Sequence, residues 1–230
     1  MDDWVSVFLM GLVLTVSIWM LLRPHAAQNN MPGHAAFDQF HPMPPSGSAR
    51  AGNSKTIRAD SLTPSQKKLH ARLPQKSNAR SICLSGNVLL DASTRAFPPA
   101  SVGLLVDFVA VSDLFVIFYV RDEAEKKAIQ DTVASVPQLA WDPKTRSGIP
   151  AHKFLFCSSV PGNIALVRQI EPLVHIEDNR EVAVGLRPFL PSIIYLHGNS
   201  AGLPPLQASQ RDSVTEHSSF QVYYDSLTSS

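Results

Sequence analysis

Residues 113–120 read DLFVIFYV, an almost unbroken run of branched and aromatic side chains. Such a run suits an extended strand, and its lack of polar alternation suits a strand covered on both faces. Shorter apolar runs recur at 82–90 (ICLSGNVLL, interrupted near Ser85-Gly86), 153–157 (KFLFC), 173–176 (LVHI) and 193–197 (IIYLH). Helical patterns fill the gaps at 100–111, 122–136, 162–170 and 181–190. The first follows Pro98-Pro99 and puts Val102, Leu105, Val106 and Val109 on one face. The second opens on acids, which complement a helix N-terminus, and turns Ala128, Ile129 and Val133 inward. Pro172 ends the third, and Pro188 must sit at the end of the fourth or kink it. Strands alternating with helices predict an α/β domain over residues 80–197. Its expected form is a Rossmann-like three-layer sandwich with a mostly parallel sheet of about five strands. Residues 198–230 are Ser- and Gln-rich and predict a flexible tail.

Composition matters here because its averages conceal a partition. Net charge is +1 and mean hydropathy +0.01. Residues 1–22 are net −2, residues 23–80 net +7 and residues 81–230 net −4. Near-zero net charge argues against a protein built around nucleic acid. Two cysteines, Cys83 and Cys157, cannot make a disulfide-dense scaffold or a four-cysteine zinc site.

Residues 4–22 (WVSVFLMGLVLTVSIWMLL) carry no charge. As a helix they measure roughly 28 Å, about the thickness of a bilayer's hydrocarbon core. Phe8, Leu12, Val16 and Leu22 lie within this run, and Trp4 and Trp19 lie near its ends, where indoles favour the headgroup level. The acidic flank and long apolar run differ from a cleaved signal peptide. The expectation is one N-terminal transmembrane helix over residues 1–22. Asp2 and Asp3 precede the run and Arg23 follows it, so the positive-inside rule puts the rest of the chain in the cytosol, with free thiols. Residues 23–79 are rich in Pro, Gly, Ser and Asn and read as a disordered basic tether, with one or two helical turns at 65–73. Its charge is suited to anionic headgroups.

In a doubly wound sheet, ligands bind beyond the carboxyl ends of the strands. Asp91 after the first run, Ser158-Ser159 after the third and Glu177-Asp178 after the fourth distantly resemble a haloacid-dehalogenase phosphotransferase layout. That chemistry needs a second aspartate two residues after the nucleophile, where this chain has Ser93. A membrane-tethered phosphohydrolase using Asp91 is the alternative reading. No Gly-rich phosphate loop is present, and Val160-Pro161-Gly162-Asn163 makes only a weak anion site at a helix start. No catalytic, cofactor or metal constellation stands out, and no small-molecule substrate is expected.

Residues 154–179 (FLFCSSVPGNIALVRQIEPLVHIEDN) resemble the peroxin-22 family in its plant-like form, through FLFCSS, VRQIEP and HIEDN at similar spacing. Residues 111–114 (VSDL) resemble that family's lead into its second strand. The resemblance implies a peroxisomal membrane adaptor. Such a protein recruits and stimulates a ubiquitin-conjugating enzyme of the peroxin-4 type, so that the cargo receptor is ubiquitinated and recycled. The reactive cysteine then belongs to the partner. Arg168, Gln169, Glu171, His175 and Asn179 match the family segment and are candidate partner contacts. The alternative is that they hold the fold, by capping helices and satisfying buried groups. Arg168 and Glu171 are spaced to pair at i, i+3.

Overall fold

The computed structural model describes residues 61–229 except 78, 92, 146, 200–205 and 208–210. These residues belong to the second of two compact units, Ala51–Ser230. The apolar run at 4–22, with Trp4, Phe8, Leu12, Val16, Trp19 and Leu22, lies outside the described residues, as does the tether up to residue 60. Among the described residues no helix is long and apolar enough to cross a membrane.

Six strands form one parallel sheet: β1 (Ser81–Ser85), β2 (Asp113–Tyr119), β3 (Phe154–Cys157), β4 (Val174–Glu177), β5 (Ile193–Leu196) and β6 (Val214–His217). Their order is β3-β2-β1-β4-β5-β6, which reverses direction between β1 and β4. Among the described residues six α-helices accompany them: α1 (Pro64–Arg72), α2 (Pro99–Val111), α3 (Glu123–Ala134), α4 (Val160–Ile170), α5 (Arg180–Leu186) and α6 (Phe220–Thr228). The fold is the expected α/β sandwich.

Strand alternation sorts the core into two layers. Ile82 and Leu84 of β1, Val116 and Phe118 of β2, and Val174 and Ile176 of β4 face a cluster with residues of α1, α2, α3 and α6. Cys83, Ile117, Ile193 and Tyr195 face the other cluster, with Val167 of α4 and Val182, Ala183 and Leu186 of α5. Both faces are covered, which is why residues 113–120 are apolar almost throughout.

Four boundaries differ from the sequence expectation. The run at 82–90 is a strand only to Ser85, and a 3-10 turn, Gly86–Leu89, follows. Gly86 marks the break because a Cβ there would lie 2.3 Å from the ring of Phe118. That ring is fully buried beside Phe97, Phe154 and Phe156 and has little room to move. Gly86→Ala is therefore expected to cost roughly 2–3 kcal/mol, read as a lower urea midpoint at unchanged slope.

The tail expected at 198–230 contains ordered structure: β6 extends the sheet beside β5, and α6 packs on α1 and α2. Ser219 caps α6 through a hydrogen bond from the Val222 amide, and Phe220 and Tyr223 are buried. Composition hid this element, because Ser is common in loops and is also a preferred N-cap. The domain also begins earlier than residue 80. Thr63 and Gln66 form a reciprocal capping box that starts α1, and Leu69 and Leu73 are buried. Asp107 of α2 ties the three helices together, accepting from Gln66 Nε2 at 2.8 Å and Tyr224 Oη at 2.5 Å. Finally, α5 stops at Leu186, shorter than the expected helix to 190, because Pro188 cannot continue it.

Candidate functional site

The fold puts the default ligand position where the strand order reverses, beyond the carboxyl ends of β1 and β4. Ser85 ends β1 and Glu177 ends β4. Ser85 Oγ donates to Asp178 Oδ1 at 2.8 Å. Glu177 is 1% exposed. Its Oε1 accepts the amides of Asp178 (3.0 Å) and Asn179 (2.9 Å), and its Oε2 accepts Asn163 Nδ2 (3.3 Å) and contacts His175 Nε2 (3.1 Å). Burial opposes its charge, but the His175 bond and the Asn179 amide hold Glu177 below the usual carboxylate range. An ionised carboxylate only accepts, so His175 Nε2 must be the donor. Asp178 is pushed up to about 6, first by burial and then by the neighbouring Glu177 charge. The acids of the switch point are thus consumed by internal bonds.

Asp91 is not part of this cluster. It lies six residues past the end of β1, and its Oδ1 accepts the amides and hydroxyls of Ser93 and Thr94 at 2.6–3.0 Å. These bonds hold its carboxyl well below the usual range. It serves as a turn cap on the surface, and the strand-end position assumed for a nucleophile belongs to Ser85. The cysteines are free and buried. Burial pushes the Cys83 thiol far up and Cys157 up to about 11. The start of α4 is capped by Ser159, and Asn163 is turned inward to Glu177.

An open concavity lies at the opposite end of the sheet. A groove of about 630 Å³ is lined by Arg168, Gln169, Glu171 and Leu173 around the α4–β4 turn. Phe189, Leu190 and Pro191 line it from the segment before β5, and Lys76 from the segment before β1. The Arg168 guanidinium lies 4.0 Å from the centroid of the Phe189 ring. Arg168 therefore stacks on an aromatic face, where the sequence spacing suggested an ion pair with Glu171. Phe189 is 52% exposed. Glu171 caps α4 with φ +51, a left-handed conformation usually given to Gly or Asn. It turns the chain sharply into β4, with Pro172 buried behind it.

The five sequence candidates thus divide. Arg168, Gln169 and Glu171 come together in the groove. His175 is fully buried on β4, a position from which it cannot touch a docking partner. Asn179 caps α5, its Oδ1 accepting the amides of Glu181 (2.9 Å) and Val182 (3.3 Å). Sequence reasoning missed Lys76 and Phe189. For Phe189 the available signal was an aromatic set between Pro188 and Pro191, in a segment too proline-rich to be helix.

The family model described as Peroxisome biogenesis protein 22, Haloacid dehydrogenase-like domain, matches residues 71–217. A stretch of 87 residues, 38% of the chain, is 29% identical to Peroxisome biogenesis protein 22 of Arabidopsis thaliana. That stretch spans 29% of the relative's length. The matched model covers the whole sheet from β1 to β6, including both the tied-up switch point and the groove. This chain belongs to the peroxisome biogenesis protein 22 family.

Proposed function

We propose that this chain is a non-catalytic adaptor of the peroxisomal membrane. It acts in peroxisome biogenesis by recruiting and stimulating a ubiquitin-conjugating enzyme of the peroxin-4 type, which modifies the import receptor for recycling. A single span at residues 4–22 anchors it, with the α/β domain on the cytosolic side. The groove containing Arg168 and Phe189 is the docking surface.

The observation that carries this reading is the contrast between the two ends of the sheet. Where the fold would place a catalytic group, Glu177 and Asp178 are occupied by His175, Asn163, Ser85 and backbone amides. At the other end, an exposed aromatic and a stacked arginine stand over an open groove. Aromatic and arginine side chains dominate the energetics of protein interfaces. Family membership supports the same reading.

The full chain, immobilised and offered the purified peroxisomal conjugating enzyme, is expected to retain it. Phe189→Ala and Arg168→Glu are each expected to weaken retention at least about tenfold, the scale of an interface anchor. Both side chains are exposed, so circular dichroism should be unchanged. Failure of the unaltered chain to bind would sink the adaptor reading; unaltered binding by both variants would sink only the groove. Faster ubiquitin discharge by the enzyme in the chain's presence separates stimulation from mere tethering.

A further inference from the structure

We propose that the outer face of α1 is an electrostatic docking surface for anionic phospholipid headgroups. It would hold the folded domain against the membrane that anchors it. The proposal rests on the anchoring reading given above.

Two features of α1 point there. The first is its facing. Gln66, Leu69 and Leu73 are buried against the domain. At 100° per residue, Lys67, Lys68, Ala71 and Arg72 fall on the opposite side, and all four are exposed. The second is charge. Residues 61–90 contain Lys67, Lys68, Arg72, Lys76 and Arg80 and no acid, although residues 81–230 are net −4.

The helices packed against α1 carry two acids, Asp107 and Asp225, against the three bases Lys67, Lys68 and Arg72 of its outer face. Asp107 of α2 is held by Gln66 and Tyr224, and Asp225 of α6 accepts Gln221 Nε2 at 2.8 Å. Arg72 Nη1 donates to the Ser226 carbonyl at 2.8 Å, which ties its guanidinium to the end of α6 while the residue stays exposed. The result is a positive surface on an otherwise acidic domain. It is also the first described element after the apolar run at 4–22, separated from Leu22 by the 41 residues 23–63. A positive surface so close in the chain to an expected membrane span complements anionic headgroups. Each Lys or Arg near such a surface strengthens partitioning roughly fivefold.

The test uses the full chain in vesicles. Ala71→Cys places a fluorescent donor on the face, since Cys83 and Cys157 are buried. Acceptor lipids are labelled at the headgroup. Energy transfer is expected to be higher in phosphatidylcholine vesicles containing about a third phosphatidylserine than in pure phosphatidylcholine. The gain should vanish at about 1 M salt, where screening acts over roughly 3 Å. It should also vanish in the Lys67→Glu/Lys68→Glu variant. Equal transfer in both vesicle types, or an unchanged gain in that variant, would overturn the proposal. Flotation with neutral vesicles reports the span independently. If the chain does not float with them, the anchor reading fails. Co-sedimentation of the same chain with anionic vesicles, lost or kept in the variant, still decides the face.

Discussion

Phe108→Ala is expected to destabilise the domain by about 3–5 kcal/mol, the range for removing a buried ring without full collapse of the cavity. Phe108 is fully buried on α2. Its ring centroid lies 5.3 Å from Phe220, 6.3 Å from Tyr223 and 6.4 Å from Tyr224. It is therefore the main apolar tie between the centre of the domain and α6. For a domain of this size the loss corresponds to a Tm lower by roughly 10 °C. Limited proteolysis should cut the variant first in the segment after β5, because α6 loses its seat. Phe108→Leu, which keeps most of the volume, is expected to cost much less. A Phe108→Ala variant as stable as the parent would mean that α6 does not hold this position in solution.

Asp178→Asn is expected to stabilise the protein at pH 8 and to leave it nearly unchanged at pH 4. The sign follows from the direction of the shift. Asp178 is raised from 3.8 to about 6 in the fold by burial and by Glu177. A raised acid binds its proton more tightly folded than unfolded. Its contribution to stability is therefore present below the unfolded value and is lost as pH rises from about 4 through 6. Above that window the charged form costs up to about 3 kcal/mol. Asparagine keeps an acceptor for the Ser85 hydroxyl and carries no charge. Urea unfolding of both proteins at the two pH values measures the effect. An equal difference at pH 4 and pH 8 would show that Asp178 does not titrate in this window. Since Asp178 is remote from the groove, binding of the conjugating enzyme should be the same for the variant and the parent.

The α/β class was readable because both of its signals are local. A run such as DLFVIFYV has few ways to escape water except between two layers of helix, and β2 sits between such layers. Capping signals were local too, but composition obscured them. Ser219 followed by Phe220, Tyr223, Tyr224 and Leu227 is a capped helix with a one-sided apolar face, yet it lies in a Ser-rich stretch. Thr63 to Gln66 is a capping box inside what reads as tether. The candidate site was half readable. Arg168, Gln169 and Glu171 stood out in sequence, but Lys76 and Phe189 join them only through the fold. His175 and Asn179 looked the same as the other three in one dimension.

Sequence by itself determined the parallel α/β class, the charge partition and the likeness to the peroxin-22 family. These depend on residue type, spacing and period, which the chain carries without folding. Tertiary structure alone decided which polar residues are spent inside and which face out. Alternation along β4 turns His175 and Glu177 under α4 and α5, where His175 Nε2 bonds Glu177 and His175 Nδ1 is left without a partner. The left-handed turn at Glu171 and the break at Pro188 instead bring Arg168 onto Phe189 at the surface. The reason is geometric: burial depends on what packs above a residue, and those neighbours come from segments far away in the sequence.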